Sequence, residues 1–232
     1  MHKTIKILKS INIVITSVFV IAVVYSVCYQ ILFLHISELF PFANELGIIA
    51  FNLSLALIAS AIFYFIVIHI NEYAKKQKAI SIVRKKVQRL INIESAVTKA
   101  LADKSNEQLR KENYSKENFE KLLSKITSKD IAPRLFYSER EEINWLDYLF
   151  YFVNDSQFII KEIYQFMPYL ELDLLVILDE LESCKYFDFF KIFQRATFFD
   201  PNLSIFGSSY FMYTTLISRL EKYLLKVDKY YS

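Results

Sequence analysis

The chain has 232 residues, 54% of them hydrophobic, yet 23% are charged and the net charge is only +3. That mixture excludes an ordinary soluble domain, which is less apolar, and a chain wholly embedded in lipid, which carries fewer charges. A divided molecule is expected, and the charge divides with it: residues 1–129 hold 18 Lys and Arg against 9 Asp and Glu, whereas residues 130–232 hold 10 against 16.

Residues 1–10 form a short basic N-terminus carrying Lys3, Lys6 and Lys9. Residues 11–34 and 47–70 then contain no charged residue, and each run is 24 residues long. As helix, 24 residues span about 36 Å, against a hydrocarbon core of roughly 30 Å. Backbone polar groups in lipid must bond within their own segment, so both runs are expected to be transmembrane helices. The competing reading of the first run is a cleaved signal peptide. It is disfavoured because the apolar stretch exceeds the usual core of about 7–15 residues. No small-residue cleavage pattern follows it either, the next residues being His35, Ile36, Ser37 and Glu38.

The connecting segment, 35–46, has no Lys or Arg and contains Pro41 and Asn44, which suit a tight external turn. Basic residues stay on the cytoplasmic side, so both termini are expected inside and this loop outside. The second span carries small residues at Gly47, Ala50, Ser54 and Ala61, roughly on one face. Such a face lets helix backbones approach closely, either between the two spans of one chain, the favoured reading, or between protomers. Gln30 and Asn52 are polar groups within the runs and are expected to bond across helices.

Residues 71–112 form a juxtamembrane helix whose basic collar comprises Lys75, Lys76, Lys78, Arg84, Lys85, Lys86 and Arg89. The collar is expected to face lipid headgroups; direct nucleic-acid contact is disfavoured because aromatic residues do not interleave it. Ile80, Val83, Val87, Leu90, Val97 and Leu101 repeat at alternating steps of three and four, with Glu94 filling the remaining slot. That stripe fits a short coiled coil or, with slightly more weight, an amphipathic helix packed on the following domain. The polar stretch 103–118 is the best candidate for a domain boundary.

Residues 113–232 are expected to be an all-α, aromatic-rich cytosolic domain. Ser115 is read as a helix cap, Ser138 with Glu141 as a capping box, Ser156 as a further helix start, and Pro168 as a break. A helix from Tyr169 to Glu182, a short aromatic helix near 186–195 and a last helix near 209–229 complete it. The phenylalanines of the 187–206 stretch are mostly core, and an exposed subset drawn from Phe187, Phe190, Phe198 and Phe199 is the candidate partner surface.

Chemistry is sparse. His2, His35 and His69 all precede this domain, so it has no His for acid–base work or metal binding. Cys184 has no His to activate it, and Gly207 alone cannot build a phosphate loop. The carboxylates Asp179, Glu180 and Glu182 read as a solvated helix face rather than a metal site. The expectation is a non-enzymatic protein with no cofactor, acting through lipid, self-association and partners.

The layout of basic N-terminus, two-span hairpin, basic collar and aromatic helical domain, with the opening MHKTIKILKSINIVITSVFVIAVVYSVCYQ, resembles the two-transmembrane effectors of bacterial retron antiphage systems. The resemblance implies a toxin of the bacterial inner membrane, restrained by a reverse transcriptase with its RNA-linked DNA. Release on phage interference would damage the membrane and abort the infection. The alternative is a passive membrane anchor that recruits a cytosolic partner.

Overall fold

The computed structural model describes residues 13–32, 41–134, 142–193 and 202–231, and among these the chain is all-α. It divides into two compact units, Met1–Lys78 and Ala79–Ser232. The division falls inside one helix, α3 (Ile70–Ser105), which contributes its first residues to one unit and the rest to the other.

In the first unit, α1 (Ile13–Ile31) packs against α2 (Ala43–Phe63), and a π-helical turn, Tyr64–His69, follows α2. Both helices are long and apolar enough to cross a membrane. Their surfaces support that reading. Only 17% of the apolar window of α1 and 6% of that of α2 is buried, whereas the core helix of a soluble domain would be mostly buried. Ile13, Ile21, Ile49 and Leu53 are all more than 60% exposed. In water, an apolar surface this continuous is unfavourable at roughly 25 cal/mol per Å². Phe42, just ahead of α2, adopts a left-handed backbone with φ 71°, uncommon for a bulky residue and a local strain at the turn.

In the second unit, the remainder of α3 packs with α4 (Lys116–Ser124), α5 (Trp145–Tyr164), α6 (Leu172–Glu182), α7 (Lys185–Phe193) and α8 (Gly207–Tyr231). Extended pairing among the described residues is limited to two single bridges, Thr127 with Asn202 and Ile131 with Asn144. The heptad-like stripe of α3 is buried: Val83, Val87, Leu90, Val97 and Leu101 all join this core. From Ala79 onward α3 belongs to the same compact unit as residues 113–232. Val83 and Val87 line a small cleft together with Leu174 of α6 and Leu224 of α8, so the stripe packs within its own chain, the packed-helix reading.

Caps explain the helix starts. Ser115 Oγ accepts from Asn118 N at 3.1 Å, as expected for α4. At α5, Asn144 Oδ1 accepts from Asp147 N at 2.8 Å while Asn144 Nδ2 donates to Asp147 Oδ2 at 3.0 Å. The expected Ser138–Glu141 box lies outside the described residues. Ser156 begins no helix. It lies inside α5, is 1% exposed, and sits 3.4 Å from the Tyr213 hydroxyl. No Pro or Gly interrupts that stretch, and a small side chain is what lets the Tyr213 ring approach. Pro168 does mark a break, in a 3₁₀ turn at Met167–Tyr169 between α5 and α6.

Gly207 starts α8 against the α4 backbone. A Cβ there would lie 2.7 Å from Glu120 Cα and 2.8 Å from Glu120 N. The close helix approach therefore requires glycine.

Candidate functional site

Three arrangements carry chemistry or contact: the faces of the spans, the basic collar and a buried polar network in the second unit. On α2, Gly47, Ala50, Ser54 and Ala61 all lie on the less exposed side. Gly47 lies under the ring of Tyr29 of α1, and that ring also stacks on Phe51 with centroids 5.2 Å apart. Ser54 is buried and donates to Ala50 O at 2.9 Å, so its hydroxyl is satisfied within its own helix. The small-residue face is therefore occupied inside the chain, by α1. Gln30 and Asn52 do not meet each other. Both are exposed, because their helical phase turns them away from the α1–α2 contact. Asn52 shares its outward face with Ala56 and Ser60, four and eight residues on, which are also exposed.

The collar divides. Lys75, Lys76 and Lys78 belong to the first unit and are exposed, with Lys75 paired to Glu72 at 2.8 Å. Arg84 and Lys85 are exposed in the second unit. Lys86 and Arg89 turn instead to α5: Lys86 Nζ lies 2.6 Å from Glu162 Oε2, and Arg89 Nη2 lies 2.7 and 2.9 Å from the two Asp155 oxygens. These two cations are spent inside the domain, tying α3 to α5. Such partly exposed pairs contribute up to about 1 kcal/mol each.

The proposed aromatic surface is corrected in two of its four members. Phe187 and Phe190 are 0% and 1% exposed, so they form core rather than surface. Phe190 stacks on Phe206 with centroids 4.6 Å apart, and Phe187 packs on Tyr213 at 5.6 Å. Burying such rings contributes about 2–3 kcal/mol each, which is why periodicity places them inward. Phe198 and Phe199 lie outside the described residues.

Sequence reading noted Glu94 in an apolar slot but not its partners. Glu94 is 2% exposed on α3 and accepts from Thr98 Oγ1 at 2.9 Å. Thr98 Oγ1 lies 2.7 Å from the Tyr210 hydroxyl of α8. With its one proton directed at Glu94, Thr98 must accept from Tyr210. The Tyr114 hydroxyl also faces Glu94. Burial raises the Glu94 carboxyl above the ordinary value, opposed in part by the Thr98 hydrogen bond and by Lys111. Lys111 in turn pairs with Glu221 at 2.6 Å. Desolvation and the Glu94 charge push Tyr114 up to about 12, and full burial holds Tyr210 well above its usual range. The tyrosines stay protonated at neutral pH, and the network ties α3 to α8.

Of the acidic run on α6, Glu180 forks with Arg219 of α8, Arg219 Nη2 lying 3.2 Å from Glu180 Oε1. No group of three or more potential ligands that could hold a metal occurs among the described residues. Cys184 is 3% exposed, and burial raises its thiol, the environment of a packed cysteine. Comparison of the chain with protein-family models, curated proteins and solved structures finds no match.

Proposed function

We propose that this protein is a membrane-embedded effector of the retron-associated antiphage kind. In this reading the two apolar helices span the bacterial inner membrane with both termini cytoplasmic. The helical domain is held by a cytosolic partner, a reverse transcriptase with its RNA-linked DNA, and release of that restraint damages the membrane. The single observation that carries the membrane reading is the outward apolar surface of α1 and α2, almost none of which is covered by the chain itself. Lys3, Lys6 and Lys9 before the first run and Lys75, Lys76 and Lys78 after the second support the orientation.

Self-association completes the mechanism. With the Gly47 face occupied by α1, the outward face bearing Asn52, Ala56 and Ser60 remains for other protomers. An amide in hydrocarbon gains from a hydrogen-bonding partner, and small neighbours let another helix close on it. The test is expression of the protein alone with a membrane-potential dye. Depolarisation and growth arrest are expected; polarised, growing cells at high expression would sink the effector reading.

A second reading, a passive anchor that recruits a cytosolic partner, is favoured by the same occupied face, since the hairpin needs no second copy to bury its small residues. Replacing residues 1–70 with an unrelated two-span anchor separates the two. Function retained in that chimera supports the anchor.

A further inference from the structure

The π-helical turn Tyr64–His69 stands between α2 and α3, and there Ile70 N donates to Phe65 O, five residues back rather than four. Such a turn holds one residue more than an α-turn, and π-turns inside α-helices recur at functional sites. The extra residue resets the helical phase. From Ser54 to Phe63 the less exposed positions are Ser54, Ile58 and Ala61. Glu72 is 18 residues beyond Ser54, about five turns at 3.6 residues each, so an unbroken α-helix would bring Glu72 and then Lys76 to that side. With one residue inserted, Tyr73 and Gln77 take those places. Among residues 71–78, Tyr73 and Gln77 are the half-buried pair, and the others, Glu72 and Lys76 included, are exposed.

Side chains hold the wider turn. The His69 ring centroid lies 6.3 Å from that of Tyr64 and 5.9 Å from that of Phe65. On an α-helix, side chains five residues apart point about 140° away from each other, so the Tyr64–His69 contact belongs to the π form alone. Asn71 Nδ2 donates to Val67 O at 2.6 Å, giving a carbonyl inside the turn a bond from outside it. Residues 64–71 include neither proline nor glycine, so no special backbone residue forces the turn.

We infer that Tyr64–His69 is a rotary switch within the first unit. When the turn rewinds to α, residues 70–78 rotate by about 100° about the helix axis relative to α2, bringing Glu72 and Lys76 to the side that Tyr73 and Gln77 occupy. Ile70 N exchanges Phe65 O for Ile66 O, and the Tyr64–His69 contact is given up. Because α3 runs on to Ser105 as one helix, a twist applied along it is taken up at this turn without unfolding either helix. The inference goes beyond the effector reading and needs neither a toxic activity nor a particular partner.

The experiment follows thiol labelling by a membrane-impermeant maleimide in the full chain reconstituted in lipid nanodiscs. Single cysteines are placed by Glu72→Cys, Tyr73→Cys, Lys76→Cys or Gln77→Cys in a chain carrying Cys28→Ala and Cys184→Ala. Labelling at positions 73 and 77 is expected to be about threefold slower than at 72 and 76, because access limits the reaction. Tyr64→Leu with His69→Leu removes the contact specific to the π form and is expected to reverse that order. Deleting Val67 in the same variant removes the extra residue and is expected to restore the order, since an α-helix one residue shorter returns to the original phase. His69→Leu alone, expected to narrow the difference, serves if the double variant does not fold. Equal labelling at all four positions in the parent chain, an order unchanged by the leucine variants, or no restoration by the deletion would overturn the proposal. Depolarisation by the parent chain together with an unchanged order would sink the switch alone, and a reversed order without depolarisation would sink the effector reading alone.

Discussion

The ring of Tyr29 lies so close over Gly47 that a Cβ at position 47 would sit 2.6 Å from Tyr29 Cε2. This contact seats α1 on α2. Substituting Gly47→Leu is therefore expected to wedge the hairpin open, costing about 1–3 kcal/mol, a range typical of overpacking. Loss of disulfide crosslinking between engineered cysteines at Ala22 and Ser54 in membranes checks it. Crosslinking at the wild-type level would show that the ring swings aside without consequence.

Asn52→Leu leaves that contact untouched, since Asn52 points outward. If its amide joins protomers, the substitution removes an interhelical hydrogen bond contributing about 0.6–2 kcal/mol. Energy transfer between labelled chains in lipid vesicles is expected to show association weakened about threefold to thirtyfold. Unchanged transfer would place the protomer contact elsewhere.

Glu94 gives the second unit a defined pH response. Its carboxyl is raised on folding from an ordinary value of 4.5, so the folded state holds the proton more tightly than the unfolded one. The resulting stability is fully present below the unfolded value and is lost as pH rises through the folded value. Glu94→Gln keeps the shape and an acceptor for Thr98 without the charge. The variant is expected to be more stable than wild type at neutral pH, with the advantage shrinking as pH falls toward 4.5. Thermal unfolding across that range is the measurement; an advantage independent of pH would rule out the buried charge as its source.

Phe190 and Ile192 are two residues apart on α7 but face opposite environments, 1% and 62% exposed. Phe190→Ala is expected to destabilise the domain by about 3–5 kcal/mol. Ile192→Ser is expected to fall within about 0.5 kcal/mol of wild type. Denaturant unfolding of the two variants separates core from surface in this aromatic stretch.

The collar predicts a split as well. Lys76→Glu with Lys78→Glu is expected to reduce enrichment of anionic lipid around the protein, each basic residue near the surface contributing about 1 kcal/mol. Lys86→Ala with Arg89→Ala is expected to lower thermal stability instead, because those cations are held by Glu162 and Asp155. Lipid counts in nanodiscs of anionic composition, taken beside unfolding midpoints, distinguish the two effects.

Sequence by itself determined the elements whose cause is local. A charge-free run of 24 residues declares a helix suited to lipid wherever it folds, and steps of three and four mark the buried stripe from Val83 to Leu101. Ser115 and Pro168 act through their own backbone neighbours, so the α4 cap and the turn after α5 could be read directly. Tertiary structure alone decided what the stripe packs on, that Lys86 and Arg89 serve α5, that Ser156 lies under Tyr213, and that Glu94, Thr98 and Tyr210 share one network. The pairings between helices join residues 57 to 112 positions apart. No periodicity encodes them; they arise only when helices close on one another, where burial makes an unpaired polar group costly and selects its partner.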